Sequence, residues 1–182
     1  LVATSGNLSG EPVLTATAEA ATRLAAIADA FLHHNRPIER PADDPVMRPV
    51  ADRIRPLRMG RGNAPAERAL RQSLARPVIA VGGHLKNTVA LAWAERVVVS
   101  PHIGDMDTPR SQQVFAQVVA DLQTLYGVRA EGLVCDGHPG YATSRWAAAQ
   151  ALPVTPVWHH HAHASALAGE HPDTDNWLMF TW

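Results

Sequence analysis

Four of the chain's ten histidines fall within five residues, in the run His159-His160-His161-Ala162-His163. If a helix begins at His159, the imidazoles of His159 and His163 lie one turn apart on the same face. Two imidazoles at that spacing can share one metal ion, with further ligands from elsewhere. The alternative is a polar helix start with solvated imidazoles, and the spacing leaves a metal site, a phosphate site and that alternative open. A zinc protease is disfavoured because His160 stands where its HExxH motif carries glutamate.

Three further segments place histidine, lysine or carboxylate side chains directly after a predicted strand. They are 82–87 (GGHLKN), 100–105 (SPHIGD) and 136–141 (DGHPGY). The first carries Lys86, the only lysine, which could contact phosphate, and Asn87, a candidate substrate contact. The third carries His138. Each loop alone could be an ordinary turn, but sites of α/β proteins assemble at strand ends, so the set predicts a pocket.

Two segments in the first part of the chain could bind an anion. Residues 4–12 (TSGNLSGEP) offer hydroxyls, an amide and flexible backbone N–H groups that can surround phosphate or a nucleotide sugar, although a plain turn is the alternative. Ten of the 15 arginines lie between Arg36 and Arg76, where the alternative is a solvated basic surface. Neither a P-loop nor a GxGxxG motif occurs.

The helices and strands around these residues can be predicted from hydrophobic periodicity and from turn residues. Prolines exclude an interior helix over 37–56, so loop and edge strand are expected there, and 66–76 reads as a linker or short helix. The predicted helices are 17–30, 109–126, 143–151 and 159–170, and the predicted strands are 1–3, 77–81, 87–93, 96–100, 132–136, 154–158 and 176–182. Strand and helix alternate over the second part, which predicts an α/β fold.

Composition narrows the class of protein. The chain has 182 residues and a formal net charge of −1, which excludes a strongly basic nucleic-acid arm and an acidic tail. No apolar run reaches the about 20 residues of a membrane span, and no secretory signal is visible. The single cysteine, Cys135, lies in an apolar strand and is predicted to be a buried core residue; it fits a reducing, cytoplasmic compartment. Because the predicted strands 1–3 and 176–182 lie at the two ends, we expect a fragment of a longer protein.

Taken together, these motifs resemble the HypF family of [NiFe]-hydrogenase maturation carbamoyltransferases. The matching stretches follow the family's order and cover nearly the whole chain: 4–12 (TSGNLSGEP), 27–38 (IADAFLHHNRPI), 43–48 (DDPVMR), 82–91 (GGHLKNTVAL), 100–107 (SPHIGDMD), 122–128 (LQTLYGV), 136–141 (DGHPGY) and 159–163 (HHHAH).

The resemblance implies two domains and a two-step reaction. Residues 1–76 would be the C-terminal part of a YrdC-like nucleotide-binding domain. Residues 77–182 would be the N-terminal part of a carbamoyltransferase domain similar to the tRNA threonylcarbamoyltransferase subunit, of the actin/sugar-kinase/Hsp70 type. From carbamoyl phosphate and ATP, the first domain would form carbamoyl-adenylate. The second would transfer the carbamoyl group to the C-terminal cysteine of the partner HypE, as the precursor of a cyanide ligand.

The resemblance also implies roles for particular residues. Ser5 and Asn7 match a nucleotide-contacting element, and Arg58 and Arg61 match a basic segment for which phosphate contact is a hypothesis. His159 and His163 match a metal-binding HxxxH pair for Fe, Zn or Mg, whereas Lys86 and His138 are expected to line the catalytic pocket. The chain departs from the family at three motifs: TSGN replaces TSAN, DDPV replaces DDSV, and residues 58–65 (RMGRGNAP) lack one arginine and the tyrosine of the usual pattern.

Two other functions remain alternatives. A tRNA-directed threonylcarbamoyl transferase would share the chemistry, but the near-neutral charge gives no electrostatic footprint for RNA, although YrdC-like domains resemble RNA-binding ones. A non-catalytic metal-binding module is the second, and a single cluster of four histidines argues against metal storage.

Overall fold

The computed structural model describes residues 2–171 and 173–181. Up to residue 60 these residues form one short helix and a β-hairpin, and from residue 66 onward they form a larger sheet with helices. The helices are α1 (Thr17–Arg23), α2 (Pro109–Tyr126), α3 (Ala142–Ala148) and α4 (His159–Glu170), and the strands are β1 (Val46–Val50), β2 (Arg53–Arg58), β3 (Ala66–Ala80), β4 (Ala90–Val99), β5 (Gly132–Asp136) and β6 (Val154–Val157).

The larger sheet has four strands in the order β4-β3-β5-β6. β4 runs antiparallel to β3, whereas β3, β5 and β6 are mutually parallel. The chain passes through α2 between β4 and β5, and through α3 between β5 and β6. Parallel strands joined through helices define the α/β class, so that prediction is confirmed. β1 and β2 pair antiparallel in a separate two-stranded sheet.

The sequence predicts the bounds of α2 correctly because both ends carry strong signals. The Thr108 side chain accepts a hydrogen bond from the Ser111 N–H at 3.1 Å, and Pro109 occupies the first turn. Gly127 ends the helix with a φ of 64°. Leu125, in the last turn, is 56% exposed. The buried stripe consists of Val114, Phe115, Val118, Val119 and Leu122.

The predicted helix over 17–30 is too long. α1 ends at Arg23, and the apolar side chains beyond it are not buried, with Ile27 69% exposed and Phe31 38% exposed. A short helix depends on burial of its apolar face, and the described part of the chain provides little cover for this one. α3 also ends earlier than predicted, at Ala148 rather than at residue 151.

The strands around residue 76 differ most from the prediction. Residues 66–76 are the first part of the 15-residue strand β3, not a linker or a helix. The two strands predicted over 87–100 are one continuous strand, β4. Ala94, with a φ of 45°, marks an irregularity in the register opposite Leu74 and not a hairpin turn. Pairing with β3 keeps the chain extended through a bulge.

The chain ends also depart from the prediction. Residues 2–3 and 176–181 do not belong to a strand, and Leu1 and Trp182 lie outside the described residues. None of the described helices has the length and apolar character required to cross a membrane.

Cys135 is a core residue, as predicted. It lies in β5 and is 7% exposed. Burial raises the pKa of its thiol; a hydrogen bond with Ser144 opposes this effect and the Asp136 charge adds to it. A thiol held protonated in the core is a poor nucleophile, so its role is packing.

Candidate functional site

Three loops meet at the carboxyl edge of the parallel strands. β3 leads into 82–87, β5 leads into 136–141, and β6 leads into α4. A Cβ built on Gly83 would lie 3.7 Å from His159 Cε1, and Thr143 Oγ1 donates a hydrogen bond to the Gly82 carbonyl at 3.1 Å. The loops that the sequence singles out are therefore neighbours, at the sheet edge where α/β proteins bind ligands.

The predicted histidine pair forms on the first turns of α4. His159 Nε2 and His163 Nε2 lie 3.1 Å apart, and the His159 Nδ1 lies 2.8 Å from Asp136 Oδ2. The Asp136 side chain is 7% exposed, whereas His159 is 59% exposed. When the His159 Nδ1–H donates a hydrogen bond to the buried carboxylate, the Nε2 lone pair of His159 points toward His163.

This pair meets the requirements of two metal ligands. Metal–imidazole bonds of about 2.0–2.1 Å place two ligand nitrogens about 3 Å apart, close to the separation of the Nε2 atoms of His159 and His163. A carboxylate on the far nitrogen of a ligating histidine is the usual support of such a site. Among the described residues no group of three or more candidate ligands gathers, so a metal ion on this pair would need further ligands from elsewhere.

His138 and His84 both stack on Tyr141, next to the histidine pair. The His138 backbone N–H donates to Asp136 Oδ1 at 2.8 Å, and the His138 ring stacks on Tyr141 with 4.5 Å between centroids. Tyr141 also stacks on His84, at 5.4 Å. His84 Nε2 lies 2.9 Å from Asp107 Oδ1. The stack therefore connects Asp136 to the loop that carries Lys86.

Lys86 is held through its backbone. It is exposed and adopts a φ of 49°, and its N–H donates to Asp105 Oδ1 at 2.7 Å. Asn87, expected to contact substrate, is 1% exposed and instead donates to the Val81 and Gly83 carbonyls at 2.9 and 2.7 Å. Asn87 therefore shapes the glycine turn and is inaccessible to a ligand.

Arg58 ends β2 and Arg61 follows it; the two side chains form a second cluster with Asp43 and Asp44, which precede β1. Arg58 Nη1 lies 4.0 Å from Asp43 Oδ2, and Arg58 Nη2 donates to the Asp44 carbonyl at 3.2 Å. Arg61 Nη2 lies 3.4 Å from Asp44 Oδ1. Arg58 Nε is buried and has no hydrogen-bond partner among the described residues, whereas Arg61 is exposed. Two guanidinium groups lie beside two carboxylates here, so the cluster has no formal net charge.

Ser5 and Asn7 lie in a compact turn. The Asn7 side chain donates to the Leu8 and Glu11 carbonyls, both at 2.9 Å, and its backbone N–H donates to the Ser5 carbonyl at 3.2 Å. Ser5 itself is exposed. No hydrogen bond or ion pair within 2–171 and 173–181 joins this turn to Arg58 or Arg61, and a shared role of the four residues in nucleotide binding stays a prediction.

Sequence reasoning did not assign three residues that the geometry makes prominent. Asp136 supports His159, His84 stacks beside the pocket, and Asp107 pairs with His84. Asp136 and His84 lie in loops that the sequence singles out, and Asp107 lies two residues beyond the segment 100–105. The sequence does not show that Asp136 contacts His159, because the two residues are 23 positions apart.

Fold and site thus define an α/β protein with a carboxylate-supported histidine pair at one sheet edge and an arginine cluster outside that sheet. The family model described as the HypF Kae1-like domain matches residues 73–170, and the Sua5/YciO/YrdC model, described as telomere recombination, matches residues 1–60. The chain belongs to the HypF family.

Relatives from two organisms cover nearly all of the chain. It is 44% identical to carbamoyltransferase HypF of Synechocystis sp. over 171 residues, and 40% identical to carbamoyltransferase HypF2 of Cupriavidus necator over 179 residues. Each alignment covers 94% of this chain and 22% of the relative. A crystal structure of full-length HypF in the phosphate- and nucleotide-bound form matches with a TM-score of 0.88 and 35% identity, over 95% of this chain and 27% of that one. The chain therefore spans about a quarter of the length of these proteins.

Proposed function

We propose that the complete protein is a carbamoyltransferase of [NiFe]-hydrogenase maturation, acting in the cytoplasm. The observation that carries this proposal is the 44% identity to a carbamoyltransferase HypF across 94% of the chain. The substrates would be carbamoyl phosphate and ATP, and the acceptor would be the C-terminal cysteine of HypE. Carbamoyl-adenylate would link the two steps.

The work would be divided between the two predicted domains. In residues 1–76, Ser5 and Asn7 would contact the nucleotide, and Arg58 and Arg61 would contact its phosphates. Arginine suits that role because its guanidinium binds phosphate oxygens through two parallel hydrogen bonds. The partnerless Nε of Arg58 supports this reading, since a buried donor without a partner is costly unless a ligand satisfies it.

In residues 77–182, the histidine pair would hold a divalent ion, Fe, Zn or Mg, whose identity the two imidazoles leave open. The ion, when bound, would act as a Lewis acid on phosphate or carbamoyl oxygens. Asp136 would keep His159 in the tautomer that can bind it. Lys86 and His138 would line the pocket beside the pair. Transfer forms a carbon–sulfur bond and breaks the carbon–oxygen bond to the adenylate, so AMP leaves and the thiol gives up its proton.

The test is the mass of the acceptor. The complete protein is incubated with carbamoyl phosphate, ATP and purified HypE, and HypE is measured by intact mass spectrometry. We expect one carbamoyl adduct on HypE and none on a HypE variant whose C-terminal cysteine is replaced by alanine. ATP cleavage without an adduct on HypE would contradict the proposed acceptor and would direct attention to tRNA.

A further inference from the structure

A shielded contact joins the segment around Asp43 to the loop between β4 and α2. His102 Nδ1 lies 3.0 Å from Asp43 Oδ2, and the two side chains are 15% and 23% exposed. The His102 backbone N–H donates to the Met59 carbonyl at 2.9 Å. Gly60 allows this close packing, because a Cβ there would lie 2.3 Å from the Asp43 carbonyl oxygen. The loop that starts at His102 is therefore anchored on the region before residue 61.

The contact between Asp43 and His102 lies next to the arginine cluster. The same Asp43 oxygen that faces His102 lies 4.0 Å from Arg58 Nη1, and the Asp43 carbonyl accepts a hydrogen bond from the Arg61 N–H at 2.8 Å. The hydrogen bond with His102 and the Arg58 charge lower the pKa of Asp43 against the opposing effect of burial. Asp43 is thus an ionised residue within ion-pair distance of Arg58.

The loop that contains His102 also contacts the loop that carries Lys86. Residues 103–107 are hydrogen-bonded to residues 84–87 at five points. These are the Ile103 N–H to the Asn87 carbonyl at 2.8 Å, the Asn87 N–H to the Gly104 carbonyl at 2.9 Å, the Lys86 N–H to Asp105 Oδ1 at 2.7 Å, the Met106 N–H to the His84 carbonyl at 2.9 Å, and His84 Nε2 with Asp107 Oδ1 at 2.9 Å. A hydrogen-bonded path therefore runs from the loop that contains His102 to the loop beside His159.

We infer that Asp43 and His102 are positioning residues that connect the two candidate sites. Asp43 orients Arg58 in the first, and His102 fixes the loop that holds Lys86 in the second. The mechanical part of this inference stands on the contacts alone. Its functional part rests on the proposed function, in which Arg58 binds nucleotide and Lys86 lines the transfer site.

The mechanical part is tested by amide hydrogen exchange in the complete protein. Asp43→Ala and His102→Ala should each speed exchange over residues 84–87 by at least about fivefold. Asp121→Ala is the matched control, because it removes the 2.7 Å pair with Arg40, which joins the same two regions away from both sites. If Asp43→Ala or His102→Ala changes 84–87 no more than Asp121→Ala, the inference is wrong. Should the alanine variant of His102 fail to fold, His102→Gln takes its place.

The functional part predicts that the variants differ in their effects on nucleotide binding and on carbamoyl transfer. Asp43→Ala should weaken binding of a nonhydrolysable ATP analogue and slow carbamoyl transfer, each by about 5- to 30-fold. Asp43→Asn removes the charge beside Arg58, so it should impair binding of the ATP analogue. It keeps an oxygen that accepts a hydrogen bond from His102, so it should largely restore transfer. His102→Ala should slow transfer alone. Equal losses in both readouts for all three variants would indicate general destabilisation and overturn the assignment. Absence of transfer in the wild-type protein would refute the proposed function, while the exchange pattern would still decide the mechanical part.

Discussion

Replacing Asp136 with asparagine should weaken metal binding at the histidine pair without removing either imidazole. Asp136 Oδ2 lies 2.8 Å from His159 Nδ1, and the Asp136 side chain is 7% exposed whereas that of His159 is 59% exposed. Asparagine has the same shape but no charge. It can also turn its amide N–H toward Nδ1, which moves the imidazole proton to Nε2 and removes the lone pair that faces His163.

Loss of such a support typically costs 10- to 100-fold in metal affinity, about 1.4–2.7 kcal/mol. The assay is calorimetric titration of the complete protein with Zn²⁺, with His163→Ala defining any binding elsewhere in the protein. Asp107→Asn is the matched control, because it alters a carboxylate–imidazole pair of 2.9 Å that does not support the histidine pair. Unchanged affinity in Asp136→Asn, or an equal loss in Asp107→Asn, would show that Asp136 does not support metal binding at the histidine pair.

Three further predictions concern stability and reactivity. Gly82→Ala should destabilise the protein by about 1–3 kcal/mol in urea unfolding, because its φ is 68° and a Cβ would lie 2.3 Å from a backbone oxygen. Gly127→Ala, at a φ of 64° with open space around it, should cost only about 1 kcal/mol, and equal costs would rule out the clash. Cys135 should resist iodoacetamide at pH 8 until the protein unfolds, because burial raises its pKa; rapid alkylation of the native state would contradict this. The hydrogen bond with His102 holds the pKa of Asp43 below its ordinary 3.8, so the stability that Asp43 adds is present at higher pH and is lost as pH falls below about 4. The stability gap between wild type and Asp43→Asn should narrow there, and a gap that is constant from pH 7 to 3 would contradict the assignment.

The sequence predicts best the elements whose signals are local. The bounds of α2 follow from a threonine cap, a proline and a glycine, all close in sequence to the helix ends. The helix α1 is shorter than its apolar spacing indicates because that spacing does not reveal what covers the stripe. Residues 66–76 are polar and arginine-rich, and they become part of β3 because β4 pairs with them. Strand formation there depends on a partner, which propensity alone does not supply.

In the candidate site, too, the sequence predicts the contacts between residues close in sequence and not those that depend on the fold. The spacing of His159 and His163 predicts their shared face, and the structure brings their Nε2 atoms together. The support from Asp136 depends on β5 and β6 lying side by side, which places residues 23 positions apart in contact. Asp43 and His102 are 59 positions apart, and their contact arises only when the region before residue 61 packs on the larger sheet.

The most direct test of the account is to separate its two chemical steps in one variant. The complete protein with His163→Ala is assayed for ATP–pyrophosphate exchange in the presence of carbamoyl phosphate, and for carbamoyl transfer to HypE by intact mass. We predict that exchange stays within about twofold of wild type while the carbamoyl adduct on HypE disappears. Loss of exchange together with transfer would show that the histidine pair takes part in adenylate formation, and the division of labour proposed for the two domains would be wrong.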